Sequence, residues 1–213
     1  MKDSKLQMRR RELVECAISC FSEKGIETTA IADIAAASGF GEATLYRYFS
    51  NKENLIMECG LDFWRMAGER YEELTESESY RLKSGIEQVE ALLLLTQNMF
   101  ETRRGMFKFL HDLDGYMAAH SVQSEILAEY EKLVDRPKPY LCEAIEKGKA
   151  DGTVRCGANT QELYYTLTHT VLSLLQKMAG IGILLSGDRV IEEKRQIALL
   201  WKLLLTGLQQ EPV

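Results

Sequence analysis

Residues 39–55 read GFGEATLYRYFSNKENL. Leu45 and Phe49 stand four apart, so on a helix they share one face and define a buried stripe. Tyr46 and Tyr48 flank that stripe by about 100° on either side, which leaves their rings partly exposed and their hydroxyls free. Working back from this stretch, Ile31, Ile34 and Ala35 mark a preceding short helix. Ala35 is small where a second helix would cross, and Gly39, four residues on, tolerates a positive φ. Ile34, Phe40 and Leu45 can clamp the pair. These are the demands of a helix-turn-helix over residues 31–50. Its second helix leaves one face for a major groove, and that face carries Glu42, Ala43, Tyr46 and Arg47.

The flanking sequence is helical throughout. Leu13, Val14, Ala17, Ile18 and Phe21 form a stripe on a first helix, which Lys24-Gly25 ends. Thr28 and Thr29 offer hydroxyls to cap the second helix. Ser50-x-x-Glu53 reads as a capping box opening a long fourth helix that carries Leu55, Ile56, Cys59, Phe63, Met66, Ala67, Arg70 and Tyr71 on one face. TESESYR, residues 75–81, reads as loop. Helical patterns follow over 84–103, 105–118 and 121–135, and Pro137 is placed to be the first residue of another. Asp151-Gly152 reads as a turn. Asn159-x-x-Glu162 caps a long helix that ends in GIGILLSG, and Asp188 is placed to cap the last helix. No run alternates with period two. The expected fold is all-α with about nine helices: a three-helix helix-turn-helix domain at 1–50, then a larger helical domain at 51–213, joined by the helix 51–74.

Composition sets the class. The chain has 213 residues, is 46% hydrophobic and 27% charged, and carries a net charge of −6. That is ordinary for a globular protein, and the acidic total argues against a generally sticky nucleic-acid binder. Its distribution is uneven. Residues 1–11 hold Lys2, Lys5, Arg9, Arg10 and Arg11 against Asp3 alone, whereas residues 1–60 hold 8 basic and 9 acidic side chains. No apolar run is long enough to span a membrane, and MKDSKLQMRRREL does not read as a secretory signal, so a cytoplasmic location is expected. Cys16, Cys20, Cys59, Cys142 and Cys156 lack CxxC spacing and read as free thiols; Cys16 and Cys20, four apart, leave a redox-sensing pair as the other reading.

GFGEATLYRYFSNKENL, with the amphipathic helix before it and with KGIETT and Asp33-Ile34-Ala35, closely resembles the DNA-binding domain of TetR-family transcriptional regulators over about residues 9–58. The resemblance implies a two-fold dimer on double-stranded DNA with a palindromic operator. It implies that Thr44 and Tyr46 touch phosphates or base edges, that Tyr48 and Lys52 contact phosphates, and that Thr29 caps the second helix within reach of a phosphate. Glu42, Ala43 and Arg47 lie where the family reads bases. Glu42 either accepts from cytosine N4 or is a solvated first-turn acid; Arg47 either pairs with guanine or holds a phosphate. Gly41 replaces the usual Ser or Thr cap, at a cost of a few tenths of a kcal/mol. If each subunit neutralises about three to four phosphates, log K against log salt has a slope of about −6.

The remaining residues match the family only in length, helicity and position. Phe107, His111, Tyr116, Tyr165 and His169 are the candidate lining of an apolar effector pocket, with core packing as the alternative for each. Leu167, Val171 and Leu175 on one late helix, and Ile197, Trp201, Leu204 and Leu208 on the last, are candidates for a four-helix homodimer interface. The expected function is a repressor released from its operator by a small molecule. The alternative is a protein of the same fold controlled by a protein partner or acting architecturally. An enzyme is not expected: no Glu-x-x-His pair precedes His111, His120 or His169, and HExxH, GxSxG and P-loop motifs are absent, as is any signal for a metal or cofactor.

Overall fold

The structure, a computed structural model, describes residues 2–180 and 186–211. Within them lie eleven α-helices: α1 (Lys2–Lys24), α2 (Ile31–Ser38), α3 (Glu42–Phe49), α4 (Lys52–Glu76), α5 (Glu78–Arg81), α6 (Gly85–Thr102), α7 (Arg104–Ala119), α8 (Ser124–Val134), α9 (Lys138–Asp151), α10 (Thr160–Gly180) and α11 (Glu193–Gln209). A 3-10 turn at Ser186–Arg189 precedes α11. No strand occurs among the described residues, and the all-α expectation holds.

The chain divides into two compact units, Met1–Met66 with Arg103–Val134, and Ala67–Thr102 with Asp135–Val213. The dividing line falls within α4.

In the first unit the α1 stripe is buried: Leu13, Val14, Ala17, Ile18 and Phe21 all face inward. Phe21 stacks on Phe109 of α7 at 5.8 Å, and Phe63 of α4 meets Phe107 edge-on at 5.5 Å. Each such ring contributes about 1.5–3 kcal/mol by leaving water. The Ser22 hydroxyl donates to the Gly105 carbonyl at 2.6 Å, and the Lys108 amine donates to the carbonyl of Ser22, so the end of α1 is fastened to the start of α7. Helix α8 seats on α4 at Gly60, where a Cβ would stand 2.7 Å from Leu113 Cδ2 and 2.9 Å from the Tyr130 ring. Beside that seat the Trp64 indole N–H donates to the Tyr130 hydroxyl at 3.0 Å. Arg65 then bridges Glu58 and Glu129, both at 3.0 Å.

In the second unit α6 and α9 approach backbone to backbone at Gly85 and Gly148, where a Cβ on Gly85 would collide with the Gly148 N and Cα. The Gly85 N–H donates to the Asp151 carboxylate at 2.7 Å, and the Ile86 N–H donates to the Thr153 hydroxyl at 3.1 Å. Thr153 and then the Gly85 N–H hold the Asp151 carboxyl below its usual range. The Trp201 indole of α11 donates to Gln97 of α6 at 2.6 Å. The Leu208 carbonyl accepts from the Arg155 and Cys156 N–H groups at 2.8 and 3.1 Å.

Three end signals resolve differently from expectation. TESESYR holds the single turn α5, because Ser77 accepts from the Tyr80 N–H and the Tyr80 ring is buried. The cap of α4 is Asn51, whose side-chain oxygen accepts from the Asn54 N–H at 2.7 Å, not Ser50. Asp188 does not cap α11, which starts after Glu192; Asp188 sits in the 3-10 turn and pairs with Lys177 at 3.2 Å. The Asn159–Glu162 box is as expected, with reciprocal bonds of 2.9 Å in each direction. The expected helix end in GIGILLSG falls largely on residues 181–185, outside the described residues.

Candidate nucleic-acid interface

Gly39 ends α2 with φ 73°, and no atom lies within 4 Å of a Cβ built there, so the backbone twist alone asks for glycine. The turn delivers α3 with Leu45 and Phe49 buried against Ile34 and Ala35 of the same core; Phe40 is half-buried. The opposite face is open. Glu42, Ala43, Tyr46 and Arg47 are exposed, Tyr46 by 49%, and Thr44, Tyr48 and Lys52 are half-buried. The α3 cap, Gly41, makes no side-chain bond. Arg47 extends along this face with its guanidinium 5.6 Å from the Tyr48 ring centre, a cation–π distance. Lys52 Nζ donates to the Glu27 carbonyl at 3.1 Å, which brings the first residue of α4 to the α1–α2 loop.

Thr29 is not where the sequence reading put it. Its side chain is 1% exposed, and its hydroxyl donates backward to the carbonyls of Gly25 at 2.7 Å and Cys20 at 3.3 Å. The cap position of α2 is Ala30, whose N–H donates to Asp33 at 2.8 Å. Thr29 therefore closes the end of α1 and offers no hydroxyl to a phosphate. Asp33 also pairs with Lys24 at 2.6 Å; that contact and the Ala30 N–H hold its carboxyl below the ordinary range.

The junction of α3 and α4 is tight. Ser50 has φ 64° and ψ −44°, and the Asn51 N–H donates to the Phe49 carbonyl at 2.7 Å, a γ-turn centred on Ser50. Arg10 lies over it, with its guanidinium 5.2 Å from the Phe49 ring and 2.7 Å from Glu58. Arg10 is thus committed to a carboxylate on α4. Nothing in the sequence pattern marked this pair, since 48 residues separate its members. The same holds for His120, which closes α7, stacks on Tyr116 at 4.2 Å and stands 3.5 Å from Glu27.

The candidate effector residues fall in both units. Phe107, His111 and Tyr116 are on α7 in the first; Tyr165 and His169 are on α10 in the second. Phe107 is fully buried against Phe63 and is core. His111 is half-buried and Tyr116 is buried. Tyr116 and His120 help to line a small cavity of about 20 Å³ with Glu53, Asn54 and Met57, room for one water. Tyr165 is 40% exposed; its hydroxyl accepts from Lys138 at 2.7 Å, and its ring lies 5.6 Å from His169.

The candidate dimer residues need correction. Leu167, Val171, Leu175, Ile197, Trp201 and Leu208 are buried within the chain itself, and Leu204 is half-buried. Helix α10 spends its apolar stripe on α9, and α11 spends its own on α6. The apolar side chains left outward on α11 are Leu199 at 49% and Leu203 at 62% exposure. The cysteines are free, and burial with neighbouring Cys20 pushes the Cys16 thiol up to about 11, so it stays protonated near neutral pH.

A recognition-sized helix, presented by a left-handed glycine and faced with tyrosines, a hydroxyl and an arginine, defines a helix-turn-helix DNA-binding protein. Residues 13–59 match the family model described as bacterial regulatory proteins, tetR family. Residues 13–59 thus carry the DNA-binding domain of the tetR family of bacterial regulatory proteins. It is 24% identical over 162 residues to the HTH-type transcriptional repressor KstR2 of Mycolicibacterium smegmatis, across 76% of this chain and 75% of that protein. Among solved structures, FadR of Bacillus subtilis in complex with stearoyl-CoA superposes with a TM-score of 0.72 at 16% identity, covering 92% of this chain and 98% of that one. The ketosteroid transcriptional regulator KstR2 of Mycobacterium tuberculosis gives 0.67 at 20% identity, covering 95% and 96%. Both structures share this fold. No helix of the described residues is long and apolar enough to cross a membrane.

Proposed function

We propose that the protein is a homodimeric repressor that holds a palindromic operator through α3 and releases it when a small molecule binds in the helical domain 51–213. The observation that carries this reading is the open face of α3, where Tyr46 and Arg47 are exposed while Leu45 and Phe49 anchor the helix. Tyr48 and Lys52 serve as backbone grips; Glu42 and Arg47 choose the bases. An effector with a large apolar part is supported by the FadR complex with stearoyl-CoA and by the ketosteroid regulator KstR2. Coupling of a few kcal/mol between the two sites is enough for release.

The test is a gel shift on duplexes selected by the purified protein, with stearoyl-CoA or a steroid added. Selection of one palindrome and its release by either compound are the expected results. Absence of any preferred sequence at low salt rejects the reading. In the same assay Arg47→Ala should cost about 1–3 kcal/mol of discrimination at one base pair, Glu42→Ala should change which operator is selected, and Tyr48→Phe should weaken all duplexes about equally.

A further inference from the structure

We infer that the first turns of α1 form a second DNA-contacting surface, in which Lys5 and Arg9 grip phosphates flanking the operator half-site. The inference rests on the DNA-binding reading of α3 and extends it beyond the helix-turn-helix.

Helix α1 starts at Lys2, and none of residues 5–12 is buried. This stretch therefore lies outside the packed core, and Lys5, Leu6, Met8, Arg9 and Arg11 are exposed, Leu6 by 57% and Met8 by 59%. Lys, Leu, Gln, Met and Arg are strong helix formers, so the helix propagates outward from the packed part without a partner. Residues 4–11 contain Lys5, Arg9, Arg10 and Arg11 and no carboxylate; Asp3 and Glu12 border the segment on either side. Glu12, one turn beyond Arg9 on the same face, is the acid that closes this basic stretch.

The cations have different employment. Arg10 is neutralised by Glu58, and the charge of Arg11 favours the ionised carboxyl of Asp62 on α4. Lys5 and Arg9, four residues apart, share one face of the helix. Continuity with the recognition helix comes from Arg10. Its guanidinium rests on Phe49, the last residue of α3, so α1 passes the end of α3 at residue 10; Arg9 adjoins that point and Lys5 lies rather more than one turn further out. A duplex seated on α3 brings its flanking phosphates to that side. The charge pattern fits a polyanion read without regard to sequence.

The experiment compares wild type with Lys5→Gln/Arg9→Gln as a function of KCl, on a long duplex with the operator at its centre and on the same operator trimmed to its outermost contacted base pair. On the long duplex the salt slope of the variant should be shallower by about two per bound protomer, since each phosphate contact accounts for about 0.9. Operator and unrelated sequence should lose affinity by the same factor. On the trimmed duplex, wild type should fall to the level of the variant. Lys5→Arg/Arg9→Lys, which keeps both charges, should restore the wild-type slope, and an unchanged melting temperature shows that the fold is intact. A wild-type slope in the double variant, or an equal deficit on both duplexes, overturns the inference while leaving the α3 reading standing. Failure of the wild type to bind any selected duplex overturns that reading and the inference together.

Discussion

At Ser50 the backbone carries φ 64° and ψ −44°, the only positive φ outside glycine among the described residues. A side chain held there costs about 1–3 kcal/mol, more than the ~0.5–1 kcal/mol of extra chain entropy a glycine loses on folding. Ser50→Gly should therefore raise stability by about 1 kcal/mol, read as a higher urea midpoint. Asp62 is a second residue whose surroundings oppose it. Burial raises its folded-state carboxyl above the ordinary, unfolded value, against the pull of Arg11 and Arg65. The folded chain then binds more protons than the unfolded one between those two values, so this group's contribution to stability falls as pH rises through that window. Asp62→Asn should stabilise the protein at neutral pH and change little below the unfolded value, as unfolding midpoints at the two pH values will show. Neither residue announced itself in the sequence, because strain and desolvation come from neighbours far along the chain. Thr29 teaches the same lesson. A threonine before a helix looks like a cap, but burial turned its hydroxyl back onto the end of α1.

At the scale of the element, two helical glycines carry different burdens. A Cβ on Gly60 meets the ends of the Leu113 and Tyr130 side chains, which can yield a few tenths of an ångström. A Cβ on Gly85 meets the Gly148 backbone of α9, which cannot. Gly60→Ala should cost about 1–3 kcal/mol as an overpacking change. Gly85→Ala should cost more, because α6 must part from α9 and forfeit the bonds to Asp151 and Thr153; denaturant titration of the two variants gives the order. Helix ends were legible where cap and partner lie close in sequence, as at Asn159–Glu162 and at Gly39. They were misread where two candidates stood side by side, as with Ser50 and Asn51. Local chemistry could not choose between them, and the γ-turn did.

For the whole molecule, apolar periodicity identified the helices but not what covers each stripe. The stripes of α10 and α11 looked too apolar for a monomer, yet their strongest residues are consumed by α9 and α6. Trp201→Ala should thus lower the stability of the subunit by about 3–5 kcal/mol. Leu203→Glu, on the exposed side of α11, should leave that stability nearly unchanged and separate the proposed dimer, as sedimentation equilibrium will report. The helix-turn-helix itself was legible because its core, turn glycine and open face all lie within residues 31–50. The partners of that core were not legible, since α7 and α8 return to it from residues 103–134.

That return has a consequence for how such proteins are recombined. A chimera that joins residues 1–50 of this chain to the body of another regulator would strip Phe21 from Phe109 and Ser22 from Gly105. The head is therefore not a cassette. A transplant that keeps its DNA preference has to carry the segment 103–134 along, or rebuild the surface it presents.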